Sequence, residues 1–147
     1  FGRLTFIKSV HGDYFLYHRI ADKLISLNDE PYNPATGENN GNNWVIVPIG
    51  QGAVSIKSVH GKYFLSHNVA QRSIFLNDKP YNPATGENNG NNWVIVPNGQ
   101  GAVSIKSVHG NYFLSHNVAQ RSIFLNDEPY NPATGENNGN NWFLITK

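Results

Sequence analysis

The chain has 147 residues, a formal net charge of +1 and only 14% charged residues. No basic stripe is available to follow a phosphate backbone, and no apolar run approaches the roughly 18 residues that mark a bilayer span. Neither nucleic-acid binding nor membrane insertion is therefore expected. Cysteine is absent, so disulfides and thiolate metal sites are excluded, while the compartment, secreted or cytoplasmic, stays open.

One unit of 49 residues is written three times, as repeats 1–49, 50–98 and 99–147 of what reads as a single domain over 1–147. Trp44, Trp93 and Trp142 keep that spacing, as do His11, His60 and His109. Repeats 2 and 3 differ at seven positions, whereas repeat 1 differs from repeat 2 at 16. Those 16 fall at Phe1–Phe6, Asp13, Tyr17, Arg19–Ser26, Glu30 and Ile49, and none lies between Pro31 and Pro48. A unit present three times brings three copies of every loop, which favours a multivalent binding module over an enzyme.

Repeat 2 shows the predicted elements in chain order. Ala53–Lys57 alternates apolar and polar residues as a half-buried strand does. Ser58–Lys62 is a turn in which Gly61 can take positive φ, and Tyr63–His67 resumes an aromatic-rich strand. Asn68–Arg72 connects to a third strand, Ser73–Asn77. A long polar stretch, Asp78–Asn92, leads to a last strand, Trp93–Val96, and Pro97–Gly101 turns the chain into repeat 3 with an Asn-Gly hairpin signal. No segment keeps a 3.6-residue apolar period. The expectation is an all-β chain of four short strands per repeat, about twelve in all, closed with pseudo-threefold symmetry so that no sheet edge is left open. Ile56, Leu65, Ile74, Leu76, Trp93 and Ile95 are the expected core of this repeat.

The run Ala53–Ser66, with its counterparts at Ile7–Leu16 and Val103–Ser115, resembles the first hairpin of fascin and hisactophilin repeats. That resemblance implies a β-trefoil, a six-stranded barrel capped by three hairpins. Gly90-Asn91-Asn92-Trp93 is similar to the Gln-x-Trp signature of ricin B-chain-like lectins, with Asn91 where that pattern has Gln. Trefoils host many activities, so the site must decide the function.

The polar loop is the sharpest candidate site. It is too polar to be core, and its prolines and glycines give it a defined course. Sugars require amide and carboxylate partners for vicinal hydroxyls together with an aromatic face. Asp78, Asn82, Glu87 and Asn89 supply the former and Tyr81 the latter. The counterparts are Asp29, Tyr32, Asn33, Glu38 and Asn40 in repeat 1, and Asp127, Tyr130, Asn131, Glu136 and Asn138 in repeat 3. The competing explanation is that these side chains satisfy the loop's own backbone through Asx turns and caps.

His18, His67 and His116 follow the second strand of each repeat, near these loops, and join the candidate carbohydrate site. His11, His60 and His109 read as turn residues. No nucleophile elbow, phosphate loop or zinc signature is present, and Asp78 with Glu87 on one solvated loop has nothing to separate the two pKa values as hydrolysis requires. No catalytic residue, metal or cofactor is assigned.

The expected function is a multivalent carbohydrate-binding lectin with one sugar site per repeat, able to crosslink glycans or agglutinate cells. Homodimerisation is left open. The alternative is an actin-binding or bundling protein working through Lys57, Lys62, Lys106 and Arg72, or a designed symmetric trefoil.

Overall fold

The strands form where apolar and polar residues alternate, and each stops at a Gly- or Asn-containing turn. The computed structural model describes residues 3–147; Phe1 and Gly2, which open repeat 1 and carry two of its sequence differences, lie outside the described residues. In chain order the strands are β1 (Leu4–Ser9), β2 (Phe15–Arg19), β3 (Leu24–Asn28), β4 (Asn43–Gly50), β5 (Ala53–Ser58), β6 (Phe64–Asn68), β7 (Ser73–Asn77), β8 (Asn92–Pro97), β9 (Val103–Ser107), β10 (Phe113–Asn117), β11 (Ser122–Asn126) and β12 (Asn141–Thr146). All twelve pair antiparallel, as the four-strand repeat predicts.

Six of them close into a barrel. β1 pairs with β4 and β12, β4 with β5, β5 with β8, β8 with β9, and β9 with β12. The remaining six make the hairpins β2–β3, β6–β7 and β10–β11, each joined to the barrel by one pairing, such as Lys57 with Phe64. This is the β-trefoil that the repeat pattern and the hairpin resemblance imply.

The core is threefold. Trp44, Trp93 and Trp142 are fully buried with Ile7, Ile56 and Ile105 and with Leu16, Leu65 and Leu114. Each indole N–H donates to the carbonyl of the Leu one hairpin back, at 2.9–3.0 Å, so burying the largest side chain leaves no donor unpaired. Of the expected core, Ile74 and Ile95 are half-buried and pack against this cluster rather than inside it.

Candidate functional site

The polar loop is ordered by asparagines. In repeat 2, Asn77 Nδ2 donates to Asn88 Oδ1 and to Asn91 Oδ1, both at 3.0 Å, while Asn91 Nδ2 reaches the Lys79 carbonyl at 2.9 Å. The same set recurs around Asn28 and Asn126. Asn91, at the place of the signature Gln, is therefore a buried staple between the loop's start and its end. The loop was expected to be solvated throughout, but its last turn, a short 3₁₀ segment at Asn89–Asn91, runs into the core with Asn91 and Asn92 buried. Asn88 enters that turn in the left-handed conformation, φ 62°, which Asn tolerates better than most residues.

Several of the sequence-selected residues serve the loop itself. Asn82 Oδ1 accepts from the Ala84 N–H at 2.9 Å, and Glu87 accepts from the Thr85 hydroxyl; Asn33, Asn131, Glu38 and Glu136 do the same in their repeats. Asn89 Oδ1 accepts from Asn92 Nδ2 at 2.6 Å, as Asn40 and Asn138 do from Asn43 and Asn141. Asp127 pairs with Arg72 at 3.0 Å and Asp29 with Arg121 at 2.9 Å, and each guanidinium also lies over a tyrosine of the neighbouring repeat, Tyr112 or Tyr14. Asp78, whose counterpart cation is Lys23, has no ion-pair partner among the described residues.

The histidines divide differently from the expectation. His18, His67 and His116 were placed with the sugar-binding set, yet they are 1–3% exposed and both ring nitrogens are occupied. In repeat 2 the Ser107 hydroxyl donates to His67 Nε2 at 2.6 Å, and His67 Nδ1–H donates to the Gly90 carbonyl at 2.7 Å. Ser107 Oγ meanwhile accepts from the His109 backbone N–H at 2.8 Å, which fixes the direction of its own proton. His18–Ser58 and His116–Ser9 repeat the arrangement. Each imidazole also lies against its tryptophan, with ring centroids 4.1–4.2 Å apart. These histidines thus bolt each repeat to the next. Burial outweighs the carbonyl hydrogen bond and pulls their pKa from 6.5 down to about 4, with the neighbouring His60, His109 or His11 adding to the depression.

Above this seam lies a hollow of about 390 Å³ in repeat 2, bordered by Phe75, Asn77, Asn88 and Asn89, with His109 of repeat 3 on its far side. It has no charged side chain in its lining. Phe75 is 39% exposed. Gly90 forms the floor: a Cβ there would collide with the His67 carbonyl oxygen and crowd Ser66 Oγ, so only Gly lets the loop lie this close. Repeat 3 carries the same residues, with Phe124 equally exposed and Gly139 equally hemmed in.

Repeat 1 is built differently. The cross-strand pair that is Ser66 with Phe75 and Ser115 with Phe124 is Tyr17 with Ser26 here. The aromatic ring has changed strands and now lies over Gly41, its carbons 2.6 and 2.9 Å from where a Cβ would stand. Gly41 is buried, while Gly90 and Gly139 are half-buried.

A second concavity, a groove of about 680 Å³, holds Tyr81 and Asn89 between the loop and the turn joining repeats 1 and 2. Its counterpart at Tyr130 and Asn138 measures about 260 Å³. At Tyr32 the surroundings differ: Lys147 Nζ stands 3.9 Å from the ring centroid and Phe6 packs edge-on, and the ring lines a concavity of about 490 Å³ with Pro31, Asn33 and Glu38. Asn92 lines the larger groove and is 2% exposed; its Oδ1, like those of Asn43 and Asn141, is shut away from solvent and has no hydrogen-bond partner among the described residues.

The structure thus brings Tyr81 with Asn89 and His67 with Asn89 into concavities and leaves Asp78, Asn82 and Glu87 on the exposed outer loop, whereas in repeat 1 Tyr32, Asn33 and Glu38 line one concavity together. It adds Phe75 and His109, which sequence reading did not select, and Phe124 is the equally exposed counterpart of Phe75 in repeat 3. Of the four cations named for filament binding, Arg72 is committed to Asp127 and Tyr112, Lys57 and Lys106 are half-buried, and Lys62 is exposed. No helix is long and apolar enough to cross a membrane, and no cluster of three or more His, Asp or Glu is placed to hold a metal among the described residues.

No family model matches the chain, and no curated protein matches it by sequence. Solved structures match it by shape. SeviL, solved bound to an asialo-GM1 saccharide, aligns over 99% of this chain and 98% of its own with a TM-score of 0.72 and 13% identity. The BEL β-trefoil in an apo crystal form aligns over 98% and 93%, at TM-score 0.72 and 16% identity. The designed threefold-symmetric ThreeFoil aligns over 97% of both chains, at TM-score 0.68 and 16% identity. A GlcNAcα1-4Gal-releasing endo-β-galactosidase from Clostridium perfringens aligns at TM-score 0.74 over 99% of this chain but only 32% of its own. At these identities the likeness speaks for the fold alone, and the fold is a β-trefoil.

Proposed function

We propose that this trefoil is a multivalent carbohydrate-binding lectin built on one site per repeat, open and equivalent in repeats 2 and 3 and closed by Tyr17 in repeat 1. The observation that carries this reading is the uncharged hollow at Phe75. An exposed aromatic face offers C–H packing to a pyranose ring, and the surrounding asparagine amides and the His109 imidazole offer donors and acceptors for its hydroxyls. Asn89 and Tyr81 of the polar loop contact the saccharide, whereas Asn82 and Glu87 hold the loop's shape. A saccharide-bound neighbour of the same fold supports the reading.

Each site alone binds in the millimolar to micromolar range expected of shallow polar pockets. Several sites on one rigid body gain avidity against a glycan-bearing surface by effective concentration, so crosslinking and agglutination of cells follow. A glycan array with labelled protein, run with and without EDTA, tests this. Binding to one terminal sugar class, lost in F75S/F124S, is the expected result. A blank array refutes it.

A further inference from the structure

The hollow at Phe75 and the groove at Tyr81 are adjacent. Asn89 lines both. On the opposite side, His109 borders the hollow while Ser107 and Val108 border the groove. Three consecutive residues span at most about 10 Å, so one short stretch of repeat 3 runs from one concavity to the other. The partition between them is rigid, because Ser107 holds buried His67 through a hydrogen bond of 2.6 Å.

We infer that the two concavities are subsites of one elongated site, and that its ligand is an oligosaccharide, with one ring on Phe75 and a following ring on Tyr81. This rests on the lectin reading and extends it to the substrate's length. The hollow is lined without charge and takes a neutral ring. The groove offers a second aromatic face and the half-buried Lys106. At the junction of repeats 3 and 1, Val10 borders the Tyr130 groove and the next residue, His11, lies against His116 as His109 lies against His67. Repeat 1 is altered in both halves together: Tyr17 covers the hollow, and Tyr32 has Lys147 and Phe6 against it and opens onto a different concavity with Asn33 and Glu38.

Titration calorimetry with neutral β-galactosyl, chito- and cello-oligosaccharides of one to four rings tests the inference on the intact protein. Affinity is expected to rise about tenfold or more between one ring and two or three, then level off. Y81A/Y130A is expected to erase that rise with length, and F75S/F124S to weaken every length. Affinity independent of length, or Y81A/Y130A that leaves the rise intact, overturns the inference and leaves the lectin reading standing. Failure of every saccharide to bind the unaltered protein, at any length and on the array, overturns both. Circular dichroism and urea midpoints of the variants show whether a loss reflects unfolding.

Discussion

Repeat 1 and repeats 2 and 3 share an interior and differ on one face. Inside, the tryptophan, the buried histidine, the serine it reaches and the loop asparagines are the same in all three, with hydrogen bonds that agree to about 0.1 Å. Outside, one aromatic residue sits on the first strand of the hairpin in repeat 1 and on the second strand in the others. The exchange leaves one aromatic and one serine in the pair, so it alters the surface without disturbing the packing beneath. Folding constrains the seam between repeats, while the hollow above it is free to be open or covered.

Acid strikes all three repeats equally and gives the largest effect. The buried histidines are neutral in the folded chain, with pKa about 4 against 6.5 when unfolded. The unfolded chain therefore takes up more protons below about pH 6.5, and stability falls as pH drops through that value toward 4. Each imidazole accounts for about 3 kcal/mol by pH 4, so three together reach the scale of a whole domain's stability. Urea midpoints measured between pH 7.5 and 5 isolate the histidines, because most carboxylates titrate lower. A midpoint that is flat over this range contradicts the seam.

Truncating one buried indole comes next. W93A removes a fully buried ring and orphans the Leu65 carbonyl, and about 3–5 kcal/mol of stability should go with it. W44A should cost the same, since the two environments match. A difference above about 1 kcal/mol between them would show that repeat 1 departs from the others in its core as well as on its face.

Exchanging the surface pair should move binding far more than stability. S66Y/F75S copies repeat 1 into repeat 2, and Y17S/S26F copies repeat 2 into repeat 1. Both substitute residues that this fold already accommodates, so urea midpoints should shift by about 0.5–1 kcal/mol or less. The first is expected to cut the number of saccharides bound per chain by one and the second to raise it by one, read as calorimetric stoichiometry. Unchanged stoichiometry in both would place the sugar elsewhere.

How far the sequence alone carries this comparison depends on distance along the chain. The strands, the twelvefold count and the barrel follow from alternation within a few residues and from a 49-residue period. The polar loop was legible as ordered, because Pro and Gly fix its course locally. Its ligand-facing residues were not. Asn82 and Glu87 look like sugar partners by type, but neighbours two residues away occupy them. Phe75 reads as one more strand aromatic; only pairing with Ser66 across the hairpin, with Asn89 and the next repeat's His109 brought alongside, turns it into an exposed platform. His67 reads as a free strand-end imidazole, and only contacts 23 and 40 residues away reveal it as a bolt.

The smallest effect lies at the junction where repeat 1 meets repeat 2. Arg72 and Arg121 each lie over a tyrosine and pair with an aspartate of the following repeat, whereas Lys23 stands 5.7 Å from the Tyr63 ring and leaves Asp78 without an ion pair among the described residues. All three cations sit in the left-handed conformation at φ 54°, so the backbone already presents an arginine's path. A guanidinium is planar and reaches carboxylate and ring at once, which an ammonium does not. K23R should therefore complete the third clamp. The pair is half exposed in the other two repeats, so the gain should be small, about 0.5 kcal/mol, and should shrink in 1 M salt. A Y63A background separates the two contributions: the part of the gain that survives there belongs to Asp78, and the part that disappears belongs to the ring. No gain in either background would mean that Lys23 holds the junction as well as arginine does, and that this difference in repeat 1 is neutral for folding.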